Sequence, residues 1–271
     1  MNKTLVLLFS VGIVFLFSCT GGDNTAQKPE VSAPAVEPAT ETTTPAESAP
    51  ATSSSTEAKM GTATITGKVK FEGEAPKPRP INMSADKVCK SQHKSDIFNE
   101  DVVVASDGGM KWIFVYIKEG ISAKYPAPAE PAVIDQKGCV YLPHVMGIMV
   151  GQKVQIKNSD PLLHNIHATP SVNAEFNKGQ PKQGAMDEVM FDKMEIMVPF
   201  KCDVHPWMSA KANILEHPFF AVTMDDGMFS IKNVPAGTYT LAAVSEKFSE
   251  KTAQITVTDG GSITQDFSFS K

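Results

Sequence analysis

The chain has 271 residues and a formal net charge of −5, from 25 Lys and Arg and 30 Asp and Glu. These charges form no basic cluster, so nucleic acid is excluded as an expected partner.

Residues 1–19 have the layout of a secretory signal. Lys3 precedes an apolar run over residues 5–17 that is too short to span a bilayer comfortably. Cys19 stands where a lipoprotein signal would be cleaved and the new N-terminal cysteine lipidated; an ordinary secretory signal with a chance cysteine is the alternative. The residue directly after Cys19 is Thr20 and not Asp, and in this the sequence resembles outer-membrane lipoproteins. That resemblance implies a lipid anchor in the cell envelope, facing the periplasm or the cell surface.

Residues 20–59 are almost wholly Pro, Ala, Thr, Ser, Glu and Gly. Such a segment buries too little apolar surface to offset its ordering entropy, so we expect a disordered tether. About 210 residues remain for folding, enough for two small domains or one large β domain.

The sequence predicts that the folded part consists of short β-strands. From Ala63 to Phe71 apolar and polar residues alternate, which is typical of a strand with one buried face. Further β-branched and aromatic runs, separated by Gly, Pro and Asp turns, continue to Phe269, and no window shows a helical stripe. The pattern predicts an all-β protein built from β-sandwiches.

Three cysteines remain after Cys19, an odd number for an oxidising compartment. We predict a disulfide between Cys89 and Cys139, which leaves the Cys202 thiol free to bind metal. A zinc site of Cys89, His93, Cys139 and His144 is the competing interpretation.

The segment around Cys202 has the composition of a copper-binding loop. Cys202, His205 and Met208 follow a Cys-x-x-His-x-x-Met spacing, and His164 comes directly after a predicted strand upstream. A thiolate, two imidazoles and a weak axial thioether are the ligands of blue-copper electron carriers. This loop alone also fits zinc sites or chance, and the upstream histidine favours copper.

These residues resemble the cupredoxins, and among them the amicyanins. The resemblance rests on the two-and-two spacing of the loop and on His164-Asn165-Ile166-His167, which matches a His-Asn-x-His segment. It implies a Greek-key β-sandwich that binds one copper ion through His164, Cys202, His205 and Met208. It also implies that Asn165 ties the upstream ligand segment to the cysteine loop. Pro199, three residues before Cys202, predicts an edge strand or a bulge at that point.

The ligand set leaves no coordination position for a substrate, so we expect an electron carrier and not an enzyme. Cytochromes or membrane-bound electron donors and acceptors are the expected partners. Pro206 and Trp207 form a candidate docking patch, unless Trp207 packs inward. Copper(I) storage or delivery, and an envelope scaffold with a degenerate site, are the alternative functions. A second copper site is a further, weaker interpretation of the methionines Met186, Met190, Met194 and Met197.

The C-terminal residues 217–271 resemble the carboxypeptidase regulatory-like module, a small prealbumin-type β-sandwich. The resemblance lies in an Asp-Gly turn at Gly227, Phe229-x-Ile231, a Pro-x-Gly turn at Pro235 and Tyr239-x-Leu241. Such modules normally open with a Gly-x-Val strand, which is absent just before His217, whereas Thr66-Gly67-Lys68-Val69 near the N-terminus has that character. We therefore predict that a copper domain, residues 100–216, is inserted between a first strand at 60–72 and the rest. The alternative is that 62–72 begins the copper domain.

Overall fold

The computed structural model describes residues 58–271. The predicted signal peptide, Cys19 and almost all of the predicted tether lie outside the described residues. In the described part the chain is all-β apart from one short helix, as the alternating pattern predicts. No helix in this range has the length and apolar character needed to cross a bilayer.

The first elements come before the predicted copper ligands. They are β1 (Ala63–Phe71), α1 (Lys87–Ser91), β2 (Val103–Val104), β3 (Met110–Lys111) and β4 (Phe114–Glu119). The single-turn helix α1 was not predicted. Asp86 caps it, accepting hydrogen bonds from the N–H groups of Val88 and Cys89, which is the usual role of Asp at this position.

The central elements carry the predicted ligands. They are β5 (Ala132–Gln136), β6 (Tyr141–Leu142), β7 (Val145–Met149), β8 (Val154–Asn158), β9 (His164–Ala168), β10 (Phe176–Gln180), β11 (Met186–Val189), β12 (Glu195–Lys201) and β13 (Ser209–Leu215). They form two sheets, in the orders β10-β9-β12-β13-β7 and β11-β8-β5-β6. Their buried side chains make one core that includes Phe191 and Phe200. We call residues 132–215 the inserted sandwich.

The remaining elements are β14 (Phe220–Val222), β15 (Met228–Val234), β16 (Gly237–Val244), β17 (Lys251–Val257), β18 (Ser262–Thr264) and β19 (Phe267–Phe269). One sheet has the order β15-β1-β18, with β19 also paired to β1, and the other has the order β14-β4-β16-β17. They share a core. We call this unit the split sandwich, because its strands lie on both sides of the inserted sandwich in sequence. With two β-sandwiches present, the predicted fold class is confirmed.

The strand pairing differs from the predicted boundaries in one respect. β1 pairs with three strands of the C-terminal region, but β4 also lies in the split sandwich, between β14 and β16. The predicted range 100–216 therefore includes β4, which belongs to the split sandwich, as well as β2 and β3, which pair with each other and pack against the core of the split sandwich. The sequence did not reveal this, because the continuous apolar run of β4, which is buried on both faces, gives no indication of which sheet the strand joins.

The irregularity expected at Pro199 lies two residues earlier. β12 is a central strand, between β9 and β13. Its register against β13 shifts between Glu195 and Val198, and Met197 has a φ of 58°. Pairing with β9 begins only at Phe200, just after the proline that has no N–H to donate. An irregular strand is therefore observed, but it is neither an edge strand nor bulged at Pro199.

The two sandwiches contact each other through a third apolar cluster. Phe114, Tyr116, Ala242 and Val244 come from the split sandwich, and Val145 and Leu215 come from the inserted sandwich. The chain between β1 and β2 adds a loop over the inserted sandwich. We call residues 79–99 the cap segment. Its ends pair through Asn99 N–H to Arg79 O at 2.9 Å and Ile81 N–H to Ile97 O at 2.9 Å.

Candidate metal centre

Three of the predicted ligands meet at one end of the inserted sandwich. The possible ligand atoms of His164, Cys202 and His205 all lie within 4.8 Å of one another. The Nδ1 atoms of the two histidines are 3.0 Å apart, and His205 Nδ1 is 3.8 Å from Cys202 Sγ. No more than 3% of any of the three residues is exposed. Two imidazoles and a thiol therefore converge on one buried point.

The strand pairing explains why distant residues meet there. β9 begins with His164, and β12 runs antiparallel beside it and ends at Lys201. Cys202 therefore emerges at the same end of the sheet as His164. The loop from Cys202 to Met208 connects β12 to β13, whose nearest pair is Lys201 with Ser209.

Backbone hydrogen bonds fold this loop around the sulfur. His205 N–H lies 3.4 Å from Cys202 Sγ, Met208 N–H donates to His205 O at 2.9 Å, and Cys202 N–H reaches Met208 O at 3.3 Å. Met208 is 1% exposed and belongs to the same core as Cys202. The fourth predicted ligand is therefore buried within the same loop.

Asn165 connects the two ligand segments. Its Oδ1 accepts the Asp203 N–H at 2.8 Å and lies 3.2 Å from Cys202 Sγ. Its Nδ2 donates to Asn177 Oδ1 at 2.7 Å and to Asp203 Oδ2 at 3.1 Å. The Asn165 side chain therefore joins β9 to the loop that follows Cys202.

The protonation properties of the thiol suit metal binding. Burial alone would raise the pKa of Cys202, but hydrogen bonding with His164 and with nearby backbone N–H groups holds it below its ordinary value. The thiolate is the form that binds metal.

Burial, together with the positive charge of His164, lowers the pKa of His205, which favours its neutral, ligating form.

Each histidine has a carboxylate on its outer nitrogen. His164 Nε2 is 2.9 Å from Asp160 Oδ2, and Asp160 is 1% exposed. Burial opposes protonation of His164, but Asp160 and Cys202 outweigh it and raise its pKa to about 9. His205 Nε2 is 3.5 Å from Asp86 Oδ2, at the outer limit of a hydrogen bond. Carboxylates that hold the outer nitrogen of a ligand histidine orient the ring and increase its basicity.

A disulfide lies behind the two histidines, between Cys89 of the cap segment and Cys139. Cys89 groups with Asp86 and His205, and Cys139 groups with Asp160 and His164, in each case with the possible ligand atoms within 4.8 Å of one another. The predicted pairing is therefore present in the structure. Sequence reasoning did not place it beside the predicted copper ligands, and it missed Asp86 and Asp160 altogether. The only available signal was that Asp86 precedes a short polar run as an N-cap residue does.

The zinc interpretation is wrong. Its two cysteines are joined to each other. Its histidines are engaged elsewhere: His93 Nε2 lies 2.7 Å from Gly138 O, and His144 contacts Ser209 O and Glu246 Oε2, each at 3.1 Å.

The candidate docking residues have different surroundings. Pro206 is exposed, whereas Trp207 is partly buried against the core of the inserted sandwich. The Trp207 indole N–H donates to Cys139 O at 3.0 Å, and its ring centroid lies 5.1 Å from that of His205. Trp207 thus packs inward and supports the ligand loop.

Two further candidates from the sequence, His167 and the methionines of the possible second copper site, have other surroundings. His167 contacts Asp203 at 3.0 Å and Glu175 at 2.7 Å. Three of the four methionines in the candidate second site, Met186, Met190 and Met194, are exposed.

Comparison with known proteins gives partial matches. The family model of the β-sandwich domain of ER membrane protein complex subunit 7 matches residues 191–267, under a third of the chain. A search of curated proteins found no match to the sequence.

Among solved structures, the chain is similar to a purple cupredoxin from Nitrosopumilus maritimus, with 23% identity and a TM-score of 0.27 over 31% of this chain and 98% of that one. A Cu(I) form of an amicyanin mutant aligns with 21% identity and a TM-score of 0.28, over 37% and 97% of the two chains. The copper-containing nitrite reductase of Thermus scotoductus aligns with 23% identity and a TM-score of 0.29, over 36% of this chain and only 25% of that one. These neighbours are cupredoxins of low similarity, matched over about a third of this chain.

Proposed function

We propose that this chain is an electron-transfer protein with a single copper ion of the blue-copper type, bound by His164, Cys202, His205 and Met208. The proposal depends on one observation: one ring nitrogen from each of the two histidines and the thiol sulfur lie within 4.8 Å of one another at a buried point.

The donor set fits copper better than a hard cation. Imidazole and thiolate together with a thioether select a soft transition metal, whereas Mg²⁺ and Ca²⁺ prefer oxygen ligands. When bound, copper would supply a one-electron couple between Cu(I) and Cu(II). The protein's own contribution is to fix the ligands. Asp160 holds the ring of His164, Asn165 holds the loop at Cys202, and backbone hydrogen bonds fold the loop around the sulfur.

The enclosure of the ligands favours an electron carrier over the alternatives. With His164, Cys202 and His205 each at most 3% exposed, the site offers no approach for a substrate. We therefore propose that the protein is not an enzyme. Copper delivery calls for an accessible, labile site, whereas electron transfer requires only rigid ligands.

The membrane anchor and the redox partners are proposed from the sequence. A lipid on Cys19 would anchor the chain to the cell envelope, and residues 20–59 would let the folded part reach cytochromes or membrane-bound redox partners. The resemblance of the C-terminal residues to the carboxypeptidase regulatory-like module implies no peptidase activity, since fold alone does not define function.

A matched pair of histidine variants tests the ligand set. His164 and His167 both lie in β9, but only His164 faces Cys202. The copper-loaded chain is expected to show intense thiolate-to-copper absorption and the narrow paramagnetic coupling of a blue site. His164→Asn and Cys202→Ser should abolish both spectra, whereas His167→Asn should retain them.

Retention of the blue spectrum in Cys202→Ser would refute the ligand assignment. Absence of copper uptake by the unmodified chain would favour the scaffold interpretation. Rapid transfer of Cu(I) from the loaded chain to a competing chelator would favour storage or delivery.

A further inference from the structure

The cap segment covers the outer edge of His205. Met83 and Cys89 of this segment are buried in the core of the inserted sandwich, and Ile81 and Ile97 pack against the same core. The Cys89–Cys139 disulfide ties α1 to the turn that follows β5. The cap segment is therefore part of the copper-site wall, and only 3% of His205 is exposed.

Asp86 uses its two carboxylate oxygens for different contacts. Oδ1 accepts the N–H groups of Val88 and Cys89 at 2.8 and 3.0 Å and so caps α1. Oδ2 faces His205 Nε2 at 3.5 Å. The helix cap fixes the side chain in an orientation that leaves its second oxygen directed at the ligand histidine.

We propose that Asp86 is a positioning residue of the copper site, and that its carboxylate holds the ring of His205 and lowers the reduction potential of the copper. The inference rests on the proposed function. A negative charge beside a ligand stabilises Cu(II) more than Cu(I), because the oxidised ion carries one more positive charge. The His205 side chain is only 4% exposed, whereas 31% of the Asp86 side chain is exposed, so solvent screens part of this effect.

Asp86→Asn is the variant that separates charge from structure. Asparagine is as good an N-cap as aspartate, so α1 should keep its cap while the charge beside His205 is lost. Asp86→Ser keeps a capping oxygen but is too short to reach the histidine.

The matched control is Asp96→Asn. Asp96 lies in the same segment and is exposed, and its contact is an ion pair with Lys90 at 3.6 Å. This variant removes the same charge from the same segment without touching a ligand.

The experiment is a redox titration of the copper-loaded chain and its three variants, with hydrogen exchange of the α1 amides measured in parallel. Asp86→Asn and Asp86→Ser are expected to raise the potential by an amount equivalent to roughly a tenfold change in the Cu(II)/Cu(I) ratio, about 59 mV. Asp96→Asn should leave the potential close to that of the unmodified chain. Amide exchange in α1 should be as fast in Asp86→Asn as in the unmodified chain.

An Asp86→Asn potential equal to that of Asp96→Asn, with the blue spectrum intact, would overturn the inference and leave the copper assignment standing. If the unmodified chain formed no blue site, the proposed function itself would fail. A change in helix protection without a change in potential would show that Asp86 only caps the helix, which also contradicts the proposal.

Discussion

Replacing Gly147 with alanine should test how the two sandwiches pack. Gly147 lies in β7, and a Cβ there would be 2.4 Å from Phe220 Cε2 and 2.7 Å from Phe114 Cε2. Favourable carbon contacts are about 3.5–4.0 Å, so both rings must move. Phe114 is fully buried and its ring centroid is 5.5 Å from that of Phe220, which leaves little room for movement.

The magnitude follows from two opposing effects. Overpacking a core costs about 1–3 kcal/mol. A Gly→Ala change also stabilises by about 0.4–1 kcal/mol, because alanine restricts the unfolded chain. We therefore expect Gly147→Ala to lower the free energy of unfolding by about 1–2 kcal/mol.

Urea denaturation followed by tryptophan fluorescence measures this difference, with Gly179→Ala as the matched control. Gly179 is also a strand glycine, in β10, but a Cβ there would meet nothing within 4 Å. The control should be as stable as the unmodified chain or slightly more stable. Adding Phe220→Leu to Gly147→Ala should recover part of the loss. Equal stability of the two alanine variants would refute the packing described for β7 against the split sandwich.

Three further predictions concern the site and its supports. Replacing both Cys89 and Cys139 with serine should lower the free energy of unfolding by about 4 kcal/mol by the loop-entropy relation, because the two residues are 50 positions apart. Urea denaturation with and without a reductant measures this difference. Asn165→Ala should shift the copper potential and lower the free energy of unfolding by about 1–3 kcal/mol, because the backbone N–H of Asp203 loses its acceptor. Redox titration tests the first effect and urea denaturation the second. Burial opposes ionisation of Glu246, but His144 and nearby lysines outweigh it and hold its pKa below the ordinary 4.5. Its stabilising contribution is therefore present above pH 4.5 and is lost as the pH falls through the lower folded-state pKa. The difference in unfolding free energy between the chain and Glu246→Gln should accordingly shrink at acid pH, and a difference independent of pH would contradict this.

The sequence was most informative where local pattern and chemistry coincide. Alternation along β1 predicts a half-buried strand, and β1 has its apolar side chains buried. The spacing of Cys202, His205 and Met208 places three ligand types in one loop, since a loop of this length keeps them close whatever the surrounding fold. The upstream histidine required an additional argument, namely that a ligand set of this kind needs a second imidazole.

What sequence reasoning missed depends on contacts between distant segments. Asp86 reaches His205 across 119 positions, and nothing in the local pattern of either residue predicts that meeting. Asp160 is four residues from His164, but its role depends on the turn that brings its carboxylate back to the ring. The sheet membership of β4 was missed for the same reason, since its continuous apolar run indicates burial but specifies no neighbouring strand.

The split sandwich holds both ends of the cap segment. The chain leaves it at the end of β1, covers the proposed copper site, and returns at β2, which packs against the core of the split sandwich through Val104. Just before β2, Asp101 binds Arg79 at 2.7 Å and Lys247 at 3.1 Å. The disulfide ties the middle of the same segment to the inserted sandwich. We therefore expect the position of Asp86 relative to His205 to depend on how the two sandwiches pack. If so, Gly147→Ala, which disturbs that packing far from copper in sequence, should raise the copper potential in the same direction as Asp86→Asn, although by less. An unchanged potential in a destabilised Gly147→Ala chain would indicate that the inserted sandwich and the disulfide hold the cap segment without help from the split sandwich.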